Sequence, residues 1–151
     1  MPIVLMGIHF FIIGMNMLLN QYDNLILFDG VCNFCNASVN FIIDRDAAKK
    51  YKFTSLQSDV GQSILEATNK NKHDFDTLYF VKNGKLLQKS QAALAIAKGL
   101  GGFWALLVVF DILPRFLLDL CYDMIAKNRY RFFGKSDVCR MPTQDMKERF
   151  L

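Results

Sequence analysis

The stretch Leu25-Ile-Leu-Phe-Asp-Gly-Val-Cys-Asn-Phe-Cys35 carries two cysteines three residues apart, directly after a short apolar run. The run is rich in strand-forming residues, and Asp29 with Gly30 ends it. A helical pattern begins at Cys32, so the first thiol falls at a strand-to-helix junction. Unpaired backbone N–H groups at a helix start favour negative charge, and therefore the reactive thiolate. The second thiol lies one turn further on, as dithiol–disulfide exchange requires.

The apolar spacing after the second cysteine indicates which thiol faces the core. Cys35, Val39, Ile42 and Ile43 recur at i, i+4, i+7 and i+8, which is one helical face. We therefore expect Cys35 to point towards the core and Cys32 to lie at the more accessible end. On this basis Cys32 is the predicted nucleophile, which attacks the disulfide of a partner. Cys35 is the predicted resolving thiol.

The chain beyond this helix alternates strands and helices. Tyr51–Ser55 is typical of a second strand, and Ser58 can cap a second helix. Asn83-Gly84 separates two strand-like runs and predicts a hairpin, because both residues tolerate positive φ. Ser90 can then cap an alanine-rich helix. The order predicts parallel pairing of the first two strands and antiparallel pairing of the last two.

This βαβαββα order, with a CxxC at the first strand–helix junction, is similar to the minimal thioredoxin or glutaredoxin fold, an α/β fold. Two apolar segments follow, Phe103–Leu113 and Arg115–Lys127, with Pro114 at the start of the second. Both are short and interrupted by charges, so we expect helices packed on the core rather than a membrane hairpin. The expected division is an N-terminal extension, 1–22, and a thioredoxin-like domain, 23–151, in which 103–151 is a helical C-terminal elaboration.

Size and composition restrict the class of protein. The 151 residues are 52% hydrophobic with a formal charge of +4, which fits one folded domain and excludes a disordered chain. This charge does not by itself imply nucleic-acid binding, and we expect no nucleic-acid partner. One close cysteine pair with Cys121 and Cys139 scattered suits a catalytic pair in a reducing compartment better than a secreted disulfide scaffold. The expected location is cytoplasmic.

The N-terminal run leaves several alternatives open. Pro2–Leu19 is apolar apart from His9 and Asn16, and no lysine or arginine precedes it. It can be excess sequence upstream of a start at Met15 or Met17, a membrane anchor, or a cleaved signal. Membrane association through residues 2–19 is therefore the alternative to a free cytoplasmic protein.

Asp29 has two open interpretations. A carboxylate three residues before the first thiol can exchange protons with Cys35, directly or through a water. Alternatively it shapes the turn with Gly30 or caps the following helix. Both interpretations place Asp29 in the candidate site, together with Cys32 and Cys35.

Other residues with reactive or charged side chains can be interpreted either as functional or as structural. A zinc site at the cysteine pair would need two more ligands, and the sequence has no second pair with ligand spacing. Lys127–Lys135 mixes basic and aromatic residues; a solvated helix end with inward aromatics is favoured over RNA or acidic-lipid contact. Cys121 is expected in the core and His73 in solvent, whereas Cys139 can be structural or a third redox thiol.

Several separated blocks resemble the DCC thiol-disulfide oxidoreductase family. The resemblance spans about residues 24–151 and implies a thioredoxin-like fold, a disulfide-exchange activity, and Asp29, Cys32 and Cys35 as signature residues. The blocks are Phe28–Asn36, Asp44–Asp46, Phe53–Gln57, Asp76–Leu78, Ser90–Leu94, Asn128–Arg131, Cys139–Pro142 and Arg149–Leu151.

One position departs from true thioredoxins, in which a cis-proline faces the CxxC. Asp76 stands there in this chain. We expect a trans peptide, since a cis bond without proline costs about 3 kcal/mol, and a second carboxylate near the thiols. The expected partners are disulfide- or thiol-containing proteins or small molecules. An external thiol reductant such as glutathione or thioredoxin would recycle the pair, with no metal, flavin or nucleotide cofactor. The direction of electron flow stays open.

Overall fold

The computed structural model describes residues 2–135 and 144–151. Cys139 lies outside the described residues, so its role stays a prediction. The elements in chain order are α1 (Pro2–Gln21), β1 (Leu25–Phe28), α2 (Asn33–Arg45), β2 (Lys52–Ser55), α3 (Asp59–Ala67), β3 (Tyr79–Lys82), β4 (Lys85–Gln88), α4 (Lys89–Leu100), a 3-10 helix (Gly102–Ile112), α5 (Arg115–Phe133) and α6 (Gln144–Lys147).

The four strands form one mixed sheet in the order β2-β1-β3-β4. β1 is parallel to β2 and antiparallel to β3, and β3 is antiparallel to β4. Asn83 and Gly84 form the hairpin turn with φ values of 50° and 71°. The predicted α/β class, the parallel pairing of the first two strands, the antiparallel pairing of the last two and the hairpin are confirmed, and the architecture is consistent with a thioredoxin-like fold.

β1 is one of the two inner strands and is buried on both faces. Ile26 and Phe28 pack towards α2 and α4, whereas Leu25 and Leu27 pack towards α3 and the end of α1. Successive side chains of a strand point to opposite faces, so one short apolar run supplies both halves of the core. The strand therefore ends, at Asp29, between two packed layers.

Helix capping agrees with the sequence at α3 and differs at α4. The Ser58 hydroxyl accepts a hydrogen bond from the Gly61 N–H at 3.1 Å, as predicted. The predicted cap at Ser90 is wrong, because β4 runs directly into α4 and Lys89 already begins the helix. The Ser90 hydroxyl instead donates a hydrogen bond to Asp119 of α5. Ser90 therefore connects α5, part of the C-terminal elaboration, to α4 of the core instead of capping a helix.

α1 is largely exposed along its length but joins the core at its end. Ile3–Gln21 is long and apolar enough to cross a membrane, by length and composition only. Leu19 is 2% exposed and packs in the cluster beneath β1 and β3, with Met15 against it. The end of α1 therefore takes part in the packing of the sheet.

The two C-terminal apolar segments are helical and lie against the core, as predicted. The 3-10 helix and α5 contact α4, and α5 also contacts α2. α5 continues to Phe133, beyond its predicted end at Lys127. Large apolar side chains on the outer side stay exposed, including Ile112 at 84% and Phe116 at 74%.

Candidate functional site

The two thiols lie at the start of α2. Cys32 is the residue that caps the helix, in extended backbone conformation, and its Sγ accepts a hydrogen bond from the Cys35 N–H at 3.4 Å. This confirms the predicted position of the first thiol at a helix N-terminus, where the helix dipole favours a negative charge. Both cysteines are free thiols in the structure.

Cys35 packs against the core, as predicted, but the relative accessibility of the two thiols is the reverse of the prediction. Cys32 is completely buried, whereas Cys35 is part-buried and lines a cavity. The C-terminal end of α5 covers the start of α2. Asn33 donates its side-chain N–H to the Phe133 carbonyl at 2.9 Å, and Cys32 forms an isolated β-bridge with Lys135. The helical pattern could not reveal this cover, because it comes from residues about a hundred positions away.

The environment of Cys35 disfavours its thiolate. Burial raises the pKa of the Cys35 thiol to about 12, and the hydrogen bond and charge of Cys32 add to the effect. Cys35 is therefore protonated at neutral pH. The two thiols therefore differ: Cys35 is protonated and lines the cavity, whereas Cys32 is buried behind it at the helix N-terminus.

Asp29 is 2% exposed, and its carboxylate accepts hydrogen bonds from four groups. Val31 donates its backbone N–H at 3.2 Å, which corresponds to the predicted turn-shaping role. Gln57 donates its side-chain amide at 2.8 Å, and Tyr130 donates its hydroxyl. Arg129 donates an Nη2–H at 2.8 Å. Proton exchange with Cys35 stays a prediction for this carboxylate.

Arg129 is the central cation of the site, and the sequence did not single it out. It is 3% exposed, and its Nη1 also reaches Asp76 at 3.0 Å. Burial lowers the pKa of the guanidinium, but the hydrogen bond to Asp29 and the charges of Cys35 and Cys32 reverse this and raise it. Its Nε is buried without a hydrogen-bond partner. A full positive charge therefore lies beside both thiols.

The expectation of a solvated helix end with inward aromatics holds for the exposed Lys127, Arg131 and Lys135 and for the inward Tyr130, but it is wrong for the other residues of the run. Arg129 points inward, whereas Phe132 and Phe133 are 75% and 52% exposed. The ion pairs with buried and half-buried carboxylates hold the arginine inside. The sequence contained a pattern that could have predicted the inward direction of Arg129. Tyr122, Ala126 and Arg129 recur at i, i+4 and i+7, which places them on one face of α5.

Asp76, which stands at the position of the thioredoxin cis-proline, lies near the thiols, as predicted. The described residues contain no cis peptide bond, so Asp76 follows a trans peptide as predicted. Its side chain is 56% exposed, pairs with Arg129 and lines the same cavity as Cys35. The Tyr122 hydroxyl accepts a hydrogen bond from the nearby Leu78 N–H at 2.7 Å, which holds the segment before β3 against α5.

Cys121 and His73, the other candidate ligands within the described residues that the sequence analysis discussed, do not lie beside the thiols. Cys121 is exposed on the outer side of α5, so its predicted place in the core is wrong. His73 is exposed, as expected. Within residues 2–135 and 144–151, no group of three His, Cys, Asp or Glu side chains is placed to hold a metal ion.

A thioredoxin-like α/β fold with a CxxC pair at the first strand–helix junction defines a class of redox proteins. The chain matches the model of the DCC1-like thiol-disulfide oxidoreductases over residues 26–135 and belongs to that family. The uncharacterised protein YuxK of Bacillus subtilis is 44% identical over 129 residues, which cover 85% of this chain and 94% of YuxK. A chloroplastic DCC family protein of Arabidopsis thaliana is 36% identical over 118 residues, which cover 78% of this chain and 69% of that protein. No solved structure gives a significant match.

Proposed function

We propose that this protein is a thiol–disulfide oxidoreductase in which Cys32 and Cys35 alternate between dithiol and disulfide. The observation that carries the proposal is two free, adjacent thiols at the N-terminus of α2, beside the buried Arg129 guanidinium. Membership of the DCC1-like family supports the same activity. Asp29 is proposed as a positioning residue, because its carboxylate holds Arg129 next to the thiols.

The burial of the thiols supports a revised division of their roles. Cys35 faces the cavity, so its sulfur is the one that forms a mixed disulfide with a partner. Cys32 lies behind it at the helix N-terminus, where negative charge is favoured, and serves as the leaving or attacking thiolate of the internal step. This order reverses the one expected from the helical pattern.

Trapping experiments with single serine variants test both the activity and the order. Cys32→Ser and Cys35→Ser should each lose dithiol turnover with a small disulfide, whereas Cys121→Ser should retain it. After reaction at alkaline pH, where the Cys35 thiolate forms, mass spectrometry should find a stable mixed disulfide on Cys35 in Cys32→Ser. A trapped adduct on Cys32 in Cys35→Ser would restore the original order. Undiminished exchange in the double variant would refute the proposed function.

The partner class and the direction of transfer are part of the proposal. We expect thiol- or disulfide-containing proteins or small molecules as substrates, and an external thiol pool that recycles the pair. Measuring the reduction potential of the Cys32–Cys35 pair gives the direction. A low potential favours a reductase, and a high potential favours an oxidant or isomerase.

A non-catalytic binding module with structural thiols is the second candidate, and the complete burial of Cys32 favours it. In that case the pair would not oxidise and reduce reversibly. The same redox titration therefore separates the two candidates.

A further inference from the structure

A cavity of about 550 Å³ lies between the sheet layer and the C-terminal elaboration. α2 and α4 contribute one side of its wall, and the 3-10 helix and α5 contribute the other. The Cys35 side chain is part of the wall, whereas Cys32 is not. The volume lies in the range of pockets that bind small molecules.

The wall is mainly apolar. Aromatic and aliphatic side chains from five different elements meet there, so an apolar ligand would bury most of its surface against them. A ligand that fills the cavity would therefore be held by an extended apolar surface with one thiol in it. Representative wall residues are Ile26, Phe28, Val39, Leu78, Trp104 and Leu107.

The charged groups of the wall are already paired with one another. Asp29, Asp76 and Arg129 are the carboxylates and cations that line the cavity, and Arg129 bridges the two carboxylates. Two carboxylates and one guanidinium give a formal charge of −1. Among the described residues of the wall, an anionic ligand such as glutathione would meet no cation without a carboxylate partner, and it would lose its hydration.

Building on the dithiol chemistry proposed above, we propose that the cavity takes an uncharged, apolar, low-molecular-weight dithiol or the corresponding cyclic disulfide. The size, the apolar wall, the paired charges and the thiol in the wall all fit this class of substrate. A single protein side chain would occupy only part of the space.

The exchange proceeds in two balanced steps. A thiolate of the bound dithiol attacks Cys35 of the oxidised protein, a sulfur–sulfur bond forms between them, and the Cys32–Cys35 bond breaks with its electron pair on Cys32. The second thiol of the substrate then attacks its own bound sulfur and expels Cys35. The substrate loses two electrons and two protons as it becomes a cyclic disulfide, and the protein disulfide becomes a dithiol. The reverse reaction reduces the cyclic disulfide.

A matched pair of substrates tests the charge and apolarity of the site. Dihydrolipoamide and dihydrolipoate share one dithiol and one alkyl chain, and differ by a carboxylate. In single-turnover reduction of the oxidised protein, we expect dihydrolipoamide to react about tenfold faster than dihydrolipoate or more, equivalent to about 1.4 kcal/mol. Equal rates would overturn the inference, and so would a clear preference for a reduced, unfolded protein.

A matched pair of variants tests the cavity itself. Ala93→Phe fills the cavity from an exposed position on α4, and Ser63→Phe adds the same side chain to exposed α3 on the other side of the sheet. Ala93→Phe should lower the ratio of the dihydrolipoamide rate to the dithiothreitol rate about tenfold, whereas Ser63→Phe should not change it. An unchanged ratio in Ala93→Phe would count against the cavity.

Binding can also be measured without redox chemistry. Trp104 lines the cavity and is the only tryptophan of the chain, so its fluorescence reports occupancy. Octanamide, which has an apolar chain but no sulfur, should shift this fluorescence saturably in the wild type and not in Ala93→Phe. If the protein reacts with neither dithiothreitol nor dihydrolipoamide, the proposed function fails. If it reacts with both equally and octanamide does not bind, only the substrate class fails.

Discussion

At the scale of single residues, Arg129 connects the parts of the candidate site. It forms a buried ion pair with Asp29 and an exposed one with Asp76. A buried charge that loses its partner is costly, whereas an exposed pair contributes little because water screens it. The two ion pairs should therefore differ strongly in their contribution to stability.

Arg129→Leu leaves Asp29 buried without its cation. We expect the free energy of unfolding in urea to fall by about 3–5 kcal/mol. Asp76→Asn should lower it by no more than about 1 kcal/mol, because that pair is half exposed. The double variant Asp29→Leu/Arg129→Leu should lose less free energy of unfolding than Asp29→Leu and Arg129→Leu lose in sum. Strict additivity would show that the buried pair does not couple the two residues.

The raised pKa of Cys35 predicts a steep pH dependence for its reactivity. Alkylating reagents attack the thiolate, and with a pKa of about 12 its fraction rises about tenfold per pH unit at lower pH. We expect the iodoacetamide rate at Cys35, followed by peptide mapping, to keep rising between pH 8 and 10. Exposed Cys121 should be modified much faster at pH 8. A plateau for Cys35 near pH 8 would contradict the assignment.

At the scale of elements, the sequence predicted the features that depend on residues close in the chain, and it did not predict those that depend on distant contacts. β1, α2, the Ser58 cap and the Asn83-Gly84 turn depend on residues close in the chain, and the sequence patterns located them. The cover over Cys32 and the inward direction of Arg129 depend on α5 docking across the molecule. Propensity and spacing contain no information about that docking, so the thiol accessibility was predicted in reverse.

The residue that ends α5 should control access to Cys32. Gly134 has φ 73° and ψ −180°, a conformation that non-glycine residues rarely adopt, and Gly134 directly precedes the residue that pairs with Cys32. Gly134→Ala should therefore loosen the cover and speed alkylation of Cys32 several-fold. Gly101 has nearly the same backbone conformation, with φ 71° and ψ −169°, at the end of α4. Gly101→Ala should lower the free energy of unfolding by a similar amount and leave Cys32 protected from alkylation. If Cys32 were alkylated equally fast in both variants, the cover would not be local to Gly134.

At the scale of the whole molecule, α1 presents a long apolar surface beyond the packed core. Its first residues are exposed, including Ile3 at 85% and Phe10 at 81%, whereas Leu19 is buried in the core. One end of the helix is therefore built into the fold, and the other end carries apolar side chains with no cover among the described residues. We propose that this end attaches the protein to a membrane.

Cell fractionation of two forms tests this attachment. The full-length chain should sediment with membranes and need detergent for release. A form that starts at Met15 keeps both Met15 and Leu19 in the core, and should stay in the supernatant with the same thiol titration. Equal distribution of the two forms in the supernatant would instead support a freely cytoplasmic protein.

The span of the Asp29–Arg129 ion pair has a consequence for the newly made chain. The two residues are 100 positions apart, and synthesis adds about 5–20 residues per second, so the thiols precede their cover by roughly 5–20 s. During that interval neither the guanidinium nor the end of α5 exists to shield them. We therefore expect the pair to be more open to oxidants before α5 has been made than in the folded protein, so that slower synthesis of the intervening residues prolongs this exposure.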